Sequence, residues 1–168
     1  MTKNIRYDEF MQETLAQLPR GAFLSVKADD KINTMTIGWG LIGFIWKMPV
    51  IMVAVRPSRY TFELMEKADN FSVSFPHYGD LKQPLAKAGQ LSGRDIDKFA
   101  VFDITPQAGT VISSPSIAEC NLVYECELIY KHPLDPALLN SEIKTSCYAE
   151  NDYHTLYFGK IAAAYLNE

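Results

Sequence analysis

The run PVIMVAV, residues 49–55, most limits what this chain can become. Seven apolar, largely β-branched residues are too few for a helix of ordinary length, and they begin at Pro49 and stop at the Arg56-Pro57 pair. They predict a strand buried on both faces. Directly after it, RPSRYT gathers two arginines and two hydroxyls where a helical pattern begins, with Thr61, Leu64, Met65 and Ala68 at helical spacing.

Around this strand the pattern is mostly β. Residues 22–28 and 32–39 read as a hairpin around ADDK, residues 71–75 alternate with period two up to Pro76, and residues 122–131 and 154–166 are long strand candidates. KHPLDPALLN between the last two carries turn chemistry. Residues 7–18 place Phe10, Met11, Leu15 and Leu18 on one side of a short amphipathic helix, and residues 80–91 form another, with Pro84 in its first turn. The expected fold is mainly β with peripheral helices: an antiparallel barrel, closed so that no edge is left unpaired.

With 168 residues, 48% hydrophobic and 21% charged, the chain fits one domain over residues 1–168 with ample apolar surface to bury. A net charge of −4 argues against the broad basic face that nucleic acid requires, so a bound anion is expected to be small. Cys120, Cys126 and Cys147 are odd in number, widely spaced and without a CxxC pair. They predict neither a metal site nor a disulfide framework, but reduced thiols in a cytoplasmic protein. The charged N-terminus lacks the apolar centre of an export signal. Gly38, Gly40, Gly43, Lys47 and Pro49 interrupt the apolar stretch that follows, so no membrane insertion is expected.

Three stretches carry candidate chemistry. At RPSRYT the backbone N–H groups of a helix start are unpaired, Ser58 is placed to cap them, Arg56 and Arg59 are able to fork onto phosphate oxygens, and Thr61 adds a hydroxyl. Charge-assisted hydrogen bonds contribute about 1.5–3 kcal/mol each, so three or four would hold a phosphomonoester. Solvated arginines beside a capped helix fit the same residues. In NTMTIGWG, Asn33, Thr34 and Thr36 line a strand with hydrogen-bonding groups, and Met35 and Trp39 offer apolar support. A flat heteroaromatic ring would suit the row, and so would a hairpin end facing water. SGRDIDKF brings Arg94 and Lys98 beside two aspartates, either as extra positive charge near an anion or as a solvated loop.

In their order along the chain, NTMTIGW, PVIMVAVRPSRYTFELMEKADNFSVSFP, LSGRDIDKF, ECNLVYECEL and HTLYFGKI resemble the flavin reductase-like family of FMN-binding split barrels, including its flavoredoxin type. The resemblance implies an antiparallel split barrel that binds FMN at a homodimer interface. It implies phosphate contacts from Arg56, Ser58, Arg59 and Thr61, and ring or ribityl contacts from Asn33, Thr34, Met35 and Thr36. Trp39 would lie nearby, and Lys98 would approach from its loop. His154 matches less well: NDYHTLYFGKI inserts Tyr153 between Asp152 and His154 and has Lys160 where the family carries an acid, so both a nicotinamide contact and a structural role stay open. The activity implied is NAD(P)H-dependent reduction of flavin, which then passes electrons to a small-molecule or protein acceptor. Two alternatives are an FMN electron carrier between proteins, without catalysis, and a plain barrel for another phosphorylated ligand. No metal and no side-chain acid or base is required, and the absence of a GxGxxG pattern gives no sign of a tight dinucleotide site.

Overall fold

A computed structural model describes residues 2–77 and 79–167. Its strands are β1 (Thr2–Asn4), β2 (Ala22–Ala28), β3 (Lys31–Ile37), β4 (Gly40–Ile45), β5 (Met48–Val55), β6 (Asn70–Phe75), β7 (Pro106–Gln107), β8 (Ser116–Ile117), β9 (Leu122–Pro133) and β10 (Thr155–Asn167). The helices are α1 (Met11–Gln17), α2 (Tyr60–Met65), α3 (Lys82–Gln90), α4 (Lys98–Phe102) and α5 (Ser141–Cys147). The main sheet runs β3-β2-β6-β9-β10-β5-β4, with β1 added to the far end of β10, and every pairing is antiparallel. This is the split β-barrel expected from the sequence, with one correction. The sheet does not close, because β3 and β4 each have a single strand neighbour among the described residues. The free edge of β3 and the C-terminal end of β5 border the resulting seam.

Two apolar cores explain why the sheet curls. Inside it, Leu24, Val26, Val53, Val55, Phe71 and Tyr157 are buried with α2 laid over one end. On the outer face of β2, Phe23 meets Leu85, Ala88, Phe99, Phe102 and Ile117, which fastens α3 and α4 to the sheet. Asp97 caps α4 by accepting from Phe99 N at 3.0 Å and Ala100 N at 3.4 Å, so the chain turns and sends Lys98 inward.

Several local expectations shift. The N-terminal helix starts at Met11, and it buries Thr14 and Gln17 while Leu15 is 52% exposed, because Thr14 bonds back to Phe10 O and reaches Tyr124. β5 is covered on one face and half-covered on the other, where Met52 and Ala54 reach the surface. β4 pairs with β5 through Trp46 and Lys47, both at positive φ as a tight two-residue hairpin requires. α4 and α5 are additional helices in stretches whose composition suggested loops and turns.

Candidate functional site

The turn from β5 into α2 meets β3 and the C-terminal end of α3 around a cavity of ≈ 70 Å³, which is lined by Asn33, Met35, Ser58, Arg59, Thr61 and Lys98 together with residues 88–94. By this measure the space takes several waters, so a group of phosphate size fits in it. Its charge is the informative part. Lys98 is only 4% exposed, and its Nζ donates to Ala88 O at 2.7 Å. Arg59 Nη1 donates to Gly89 O at 2.9 Å. Both cations therefore sit on the terminal carbonyls of α3, where the helix supplies partial negative charge. No carboxylate among the described residues pairs with either of them. Desolvation, with Arg59 as a second cause, holds the Lys98 ammonium down to about 8 from its usual 10.5.

The remaining donors are arranged around these two cations. Asn33 Nδ2 donates to Thr61 Oγ1 at 2.8 Å, leaving the Thr61 proton free to be given away. Gly93 closes the loop so tightly that a Cβ there would collide with Asn33 Oδ1 and lie 3.0 Å from Tyr60. A small cavity holding two unneutralised cations and a spare hydroxyl proton fits a dianionic phosphate ester by the chemistry of its donors. α2 has six residues, and its N-cap is Arg59 with no side-chain cap bond, so the charge of the pocket comes from side chains more than from a helix terminus.

Some expected residues are placed differently. Ser58 lines the cavity but does not cap α2, because its hydroxyl donates to the Asp152 carboxylate. Arg56 turns away from the cavity: it donates to Asp152 O and Cys147 O, both at 2.9 Å, and lies 5.1 Å over the Tyr148 ring, so it straps α5 to the barrel. Thr34 is fully buried, accepting from Ser25 Oγ at 3.0 Å and donating to Leu24 O at 3.2 Å. Arg94 is paired with Glu63, stacks on Tyr60 and donates to Ser58 O, so its charge is spent at the rim.

The cavity opens along the seam into a second cleft of ≈ 200 Å³, and Met35 and Arg59 are common to both. Met35, Thr36, Ile37, Gly38, Trp39, Ala54, Arg56 and His154 complete it. Thr36 donates to Leu85 O, fixing α3 against β3. β3 is an edge here, so alternate backbone N–H and C=O groups along it are turned away from β2. His154 is buried, with Nδ1 at 2.8 Å from the Tyr148 hydroxyl and its ring 5.1 Å from Trp39. Desolvation and then Arg56 hold it down to about 4, so it is a neutral imidazole at physiological pH. Tyr148 stays protonated, its phenol pushed up by burial. Tyr148 and Asp152 stand behind this cleft, Tyr148 against His154 and Asp152 against Ser58 and Arg56; the run Asp152-Tyr153-His154 marks Asp152 in the sequence, and Tyr148 has no such signal.

Among the described residues, no group of His, Cys, Asp and Glu is disposed to hold a metal ion, and no helix is long and apolar enough to cross a membrane. Burial pushes the thiols of Cys120 and Cys126 upward, which makes them poor nucleophiles.

Residues 16–168 match the family model described as the flavin reductase like domain. The chain is 29% identical over 143 residues to an uncharacterized protein of Archaeoglobus fulgidus, covering 85% of this chain and 70% of that one. The FMN-binding protein of Thermus thermophilus superposes with a TM-score of 0.67 at 26% identity, covering 86% of this chain and 68% of the other. Flavoredoxin from Methanosarcina acetivorans superposes with a TM-score of 0.66 at 28% identity, covering 86% and 67%. The chain belongs to the flavin reductase-like domain family.

Proposed function

We propose that this chain binds FMN and reduces it with NADH or NADPH. The reading is carried by one observation: two cations without a carboxylate partner, Arg59 and the buried Lys98, sit beside a spare hydroxyl on Thr61 and open onto the free edge of a strand. Arg59, Lys98 and Thr61 hold the phosphate. Met35 and Trp39 offer apolar contact to a planar ring in the adjoining cleft, while the backbone of β3 offers donors and acceptors for its polar edge. When bound, the flavin accepts hydride at N5 and gives up electrons singly or in pairs. The protein's part is orientation and charge, and neutral His154 walls the cleft without adding a cation that would oppose the positive charge a nicotinamide ring gains as it gives up hydride.

The second reading is a carrier that moves electrons between protein partners, and it is favoured by the likeness to a flavoredoxin. Anaerobic mixing of the FMN-loaded protein with NADH or NADPH decides between them. A reductase loses its visible flavin band within seconds, and a carrier keeps it. Protein that takes up no FMN overturns both. The acceptor is a free flavin, a ferric complex or a protein, and the free thiols at Cys120, Cys126 and Cys147 fit the reducing cytoplasm.

We further propose a homodimer that covers the open side of the cleft. Leu41 and Phe44 on β4 are each 65% exposed, and Trp39 and Trp46 beside them are half exposed. So much apolar surface on one hairpin is unusual for a monomer. Replacing Leu41 and Phe44 together by Lys should give monomers in sedimentation velocity and weaken FMN binding by about tenfold or more. A dimer persisting in that variant would place the interface elsewhere.

A further inference from the structure

His154 lines the seam cleft and is 8% exposed, and one of its two ring nitrogens is already engaged: Nδ1 lies 2.8 Å from the Tyr148 hydroxyl. Three contacts hold the Tyr148 ring in place. The Arg56 guanidinium lies 5.1 Å over it, the Tyr153 ring stacks on it at 4.9 Å between centroids, and the Trp39 ring meets it edge-on at 6.5 Å. Arg56 also donates to Cys147 O and Asp152 O, so the backbone on either side of Tyr148 is tied to the barrel. The hydroxyl is thus presented to His154 at a fixed place.

A count of protons then sets the state of the imidazole. Both partners are neutral at physiological pH: burial raises the phenol, while burial and then Arg56 lower the imidazole to about 4, with Arg59 adding to that and Asp152 opposing it. If Nδ1–H donated to the phenol oxygen, the phenol hydrogen would need another acceptor. No described residue supplies one to Tyr148, which is 6% exposed, and the Asp152 carboxylate is engaged by the Ser58 hydroxyl. With the phenol donating to Nδ1 the contact is satisfied on both sides, and the imidazole hydrogen is confined to Nε2. Nε2 makes no hydrogen bond with any described residue and is not enclosed, so it opens onto the cleft that His154 lines.

We propose that Tyr148 is a positioning residue that fixes His154 as its Nε2–H tautomer, so that the cleft offers a neutral N–H donor to a carbonyl oxygen on the edge of a planar ring. The ligand half of the proposal rests on the flavin and nicotinamide reading of the cleft, and the tautomer half does not. Arg56 and Arg59 line the same cleft, and their charge favours an electron-rich oxygen there. Such an oxygen has two sources, a ring carbonyl of the flavin or the carboxamide of the nicotinamide. An imidazole with a bare Nε2 would set lone pair against lone pair with either.

Long-range proton–nitrogen NMR correlations of the whole chain without added FMN read the tautomer. His154 should show the Nε2–H form alone, and Tyr148→Phe, which keeps the ring contacts and loses only the hydroxyl, should admit the Nδ1–H form. A tyrosine that only fills space would leave the spectrum unmoved. In the FMN-loaded protein, Tyr148→Phe should weaken binding by about three- to tenfold. If the oxygen belongs to the flavin, the loss appears in the FMN Kd by fluorescence titration. If it belongs to the carboxamide, the loss appears in the NADH or NADPH concentration that gives half-maximal anaerobic bleaching, with the limiting rate unchanged. In His154→Phe, which keeps a ring against Trp39 and carries no nitrogen, the same change at Tyr148 should cost no further affinity. A predominant Nδ1–H form in the unmodified protein overturns the proposal without any variant. So do an unaltered His154 spectrum in Tyr148→Phe, unchanged affinity for both ligands, or a further loss in the His154→Phe background. Protein that takes up no FMN overturns the ligand half together with the flavin reading, and the spectra still decide the tautomer.

Discussion

Replacing Lys98 by Met and Arg59 by Ala should weaken FMN binding by about 10²–10⁴-fold, while Lys98→Met alone raises the melting temperature of the protein without FMN. The first effect follows from losing two charge-assisted contacts, each contributing about 1.5–3 kcal/mol. The second follows from the desolvation of Lys98. Its folded value, about 8 against 10.5, means the fold disfavours the ammonium by on the order of 3 kcal/mol. That penalty acts in full below about pH 8 and is relieved as pH rises from there towards the unfolded value. Met removes it and forfeits one hydrogen bond to Ala88 O, so the net gain at neutral pH is roughly 1–2 kcal/mol. A group that destabilises the empty fold and strengthens ligand binding is a functional group by the stability–function trade-off. The pH profile separates this from a merely structural lysine. A bound dianion raises the Lys98 value, so FMN affinity should be flat between about pH 7, where the phosphate is a dianion, and about pH 8, and fall above that by up to about tenfold per pH unit, and Lys98→Met should lack that fall. Flavin fluorescence titrations give the affinities. Unchanged affinity in the double variant would remove the phosphate from this pocket.

The sequence disclosed the elements whose local signal and tertiary surroundings agree. The β2–β3 hairpin is bounded by Asp29 and Asp30, β5 by Pro49 and the Arg56-Pro57 pair, and the helical spacing of Thr61, Leu64 and Met65 matches the buried face of α2. The β4–β5 hairpin was hidden because its turn, Trp46-Lys47, uses positive φ without the Asn or Gly that usually announces it. The phase of α1 was misread because two polar residues, Thr14 and Gln17, face inward. One is satisfied through Phe10 and Tyr124, and the other is only half satisfied. At the site, the residue types pointed to an anion, yet their partners decide which of them are available. Asp152 and Cys147 lie about ninety residues from Ser58 and Arg56 in the chain and engage both. Thr34 sits on a strand of hydroxyls but is committed to Ser25 and Leu24. Such long-range pairing leaves no periodic trace in a sequence.

Gly159→Ala should destabilise the fold by about 3 kcal/mol and lower the melting temperature by roughly 6–12 °C, a large effect for one methyl group. Gly159 lies mid-strand in β10, opposite Ile51 of β5 and Leu128 of β9, where the register with β9 shifts. A Cβ there would lie 2.5 Å from Phe71 Cζ and 2.7 Å from both Phe71 Cε1 and Cys126 Cβ. Neither neighbour has room to yield: both are fully buried, and Cys126 Cβ is fixed to the backbone of β9. The strand itself must lift, and β10 is the strand that joins β9 to β5 and runs on from His154 in the seam cleft. Shortening the obstructing ring tests this cause. Phe71→Leu alone should cost about 1 kcal/mol or more, but combined with Gly159→Ala it should recover at least about 1 kcal/mol relative to the sum of the single changes. Thermal or urea unfolding of the four proteins gives the coupling. Strict additivity would mean that the methyl group meets resistance from β9 alone, and an unchanged melting temperature in Gly159→Ala would mean that the close packing of β10 over Phe71 is not what keeps this position a glycine.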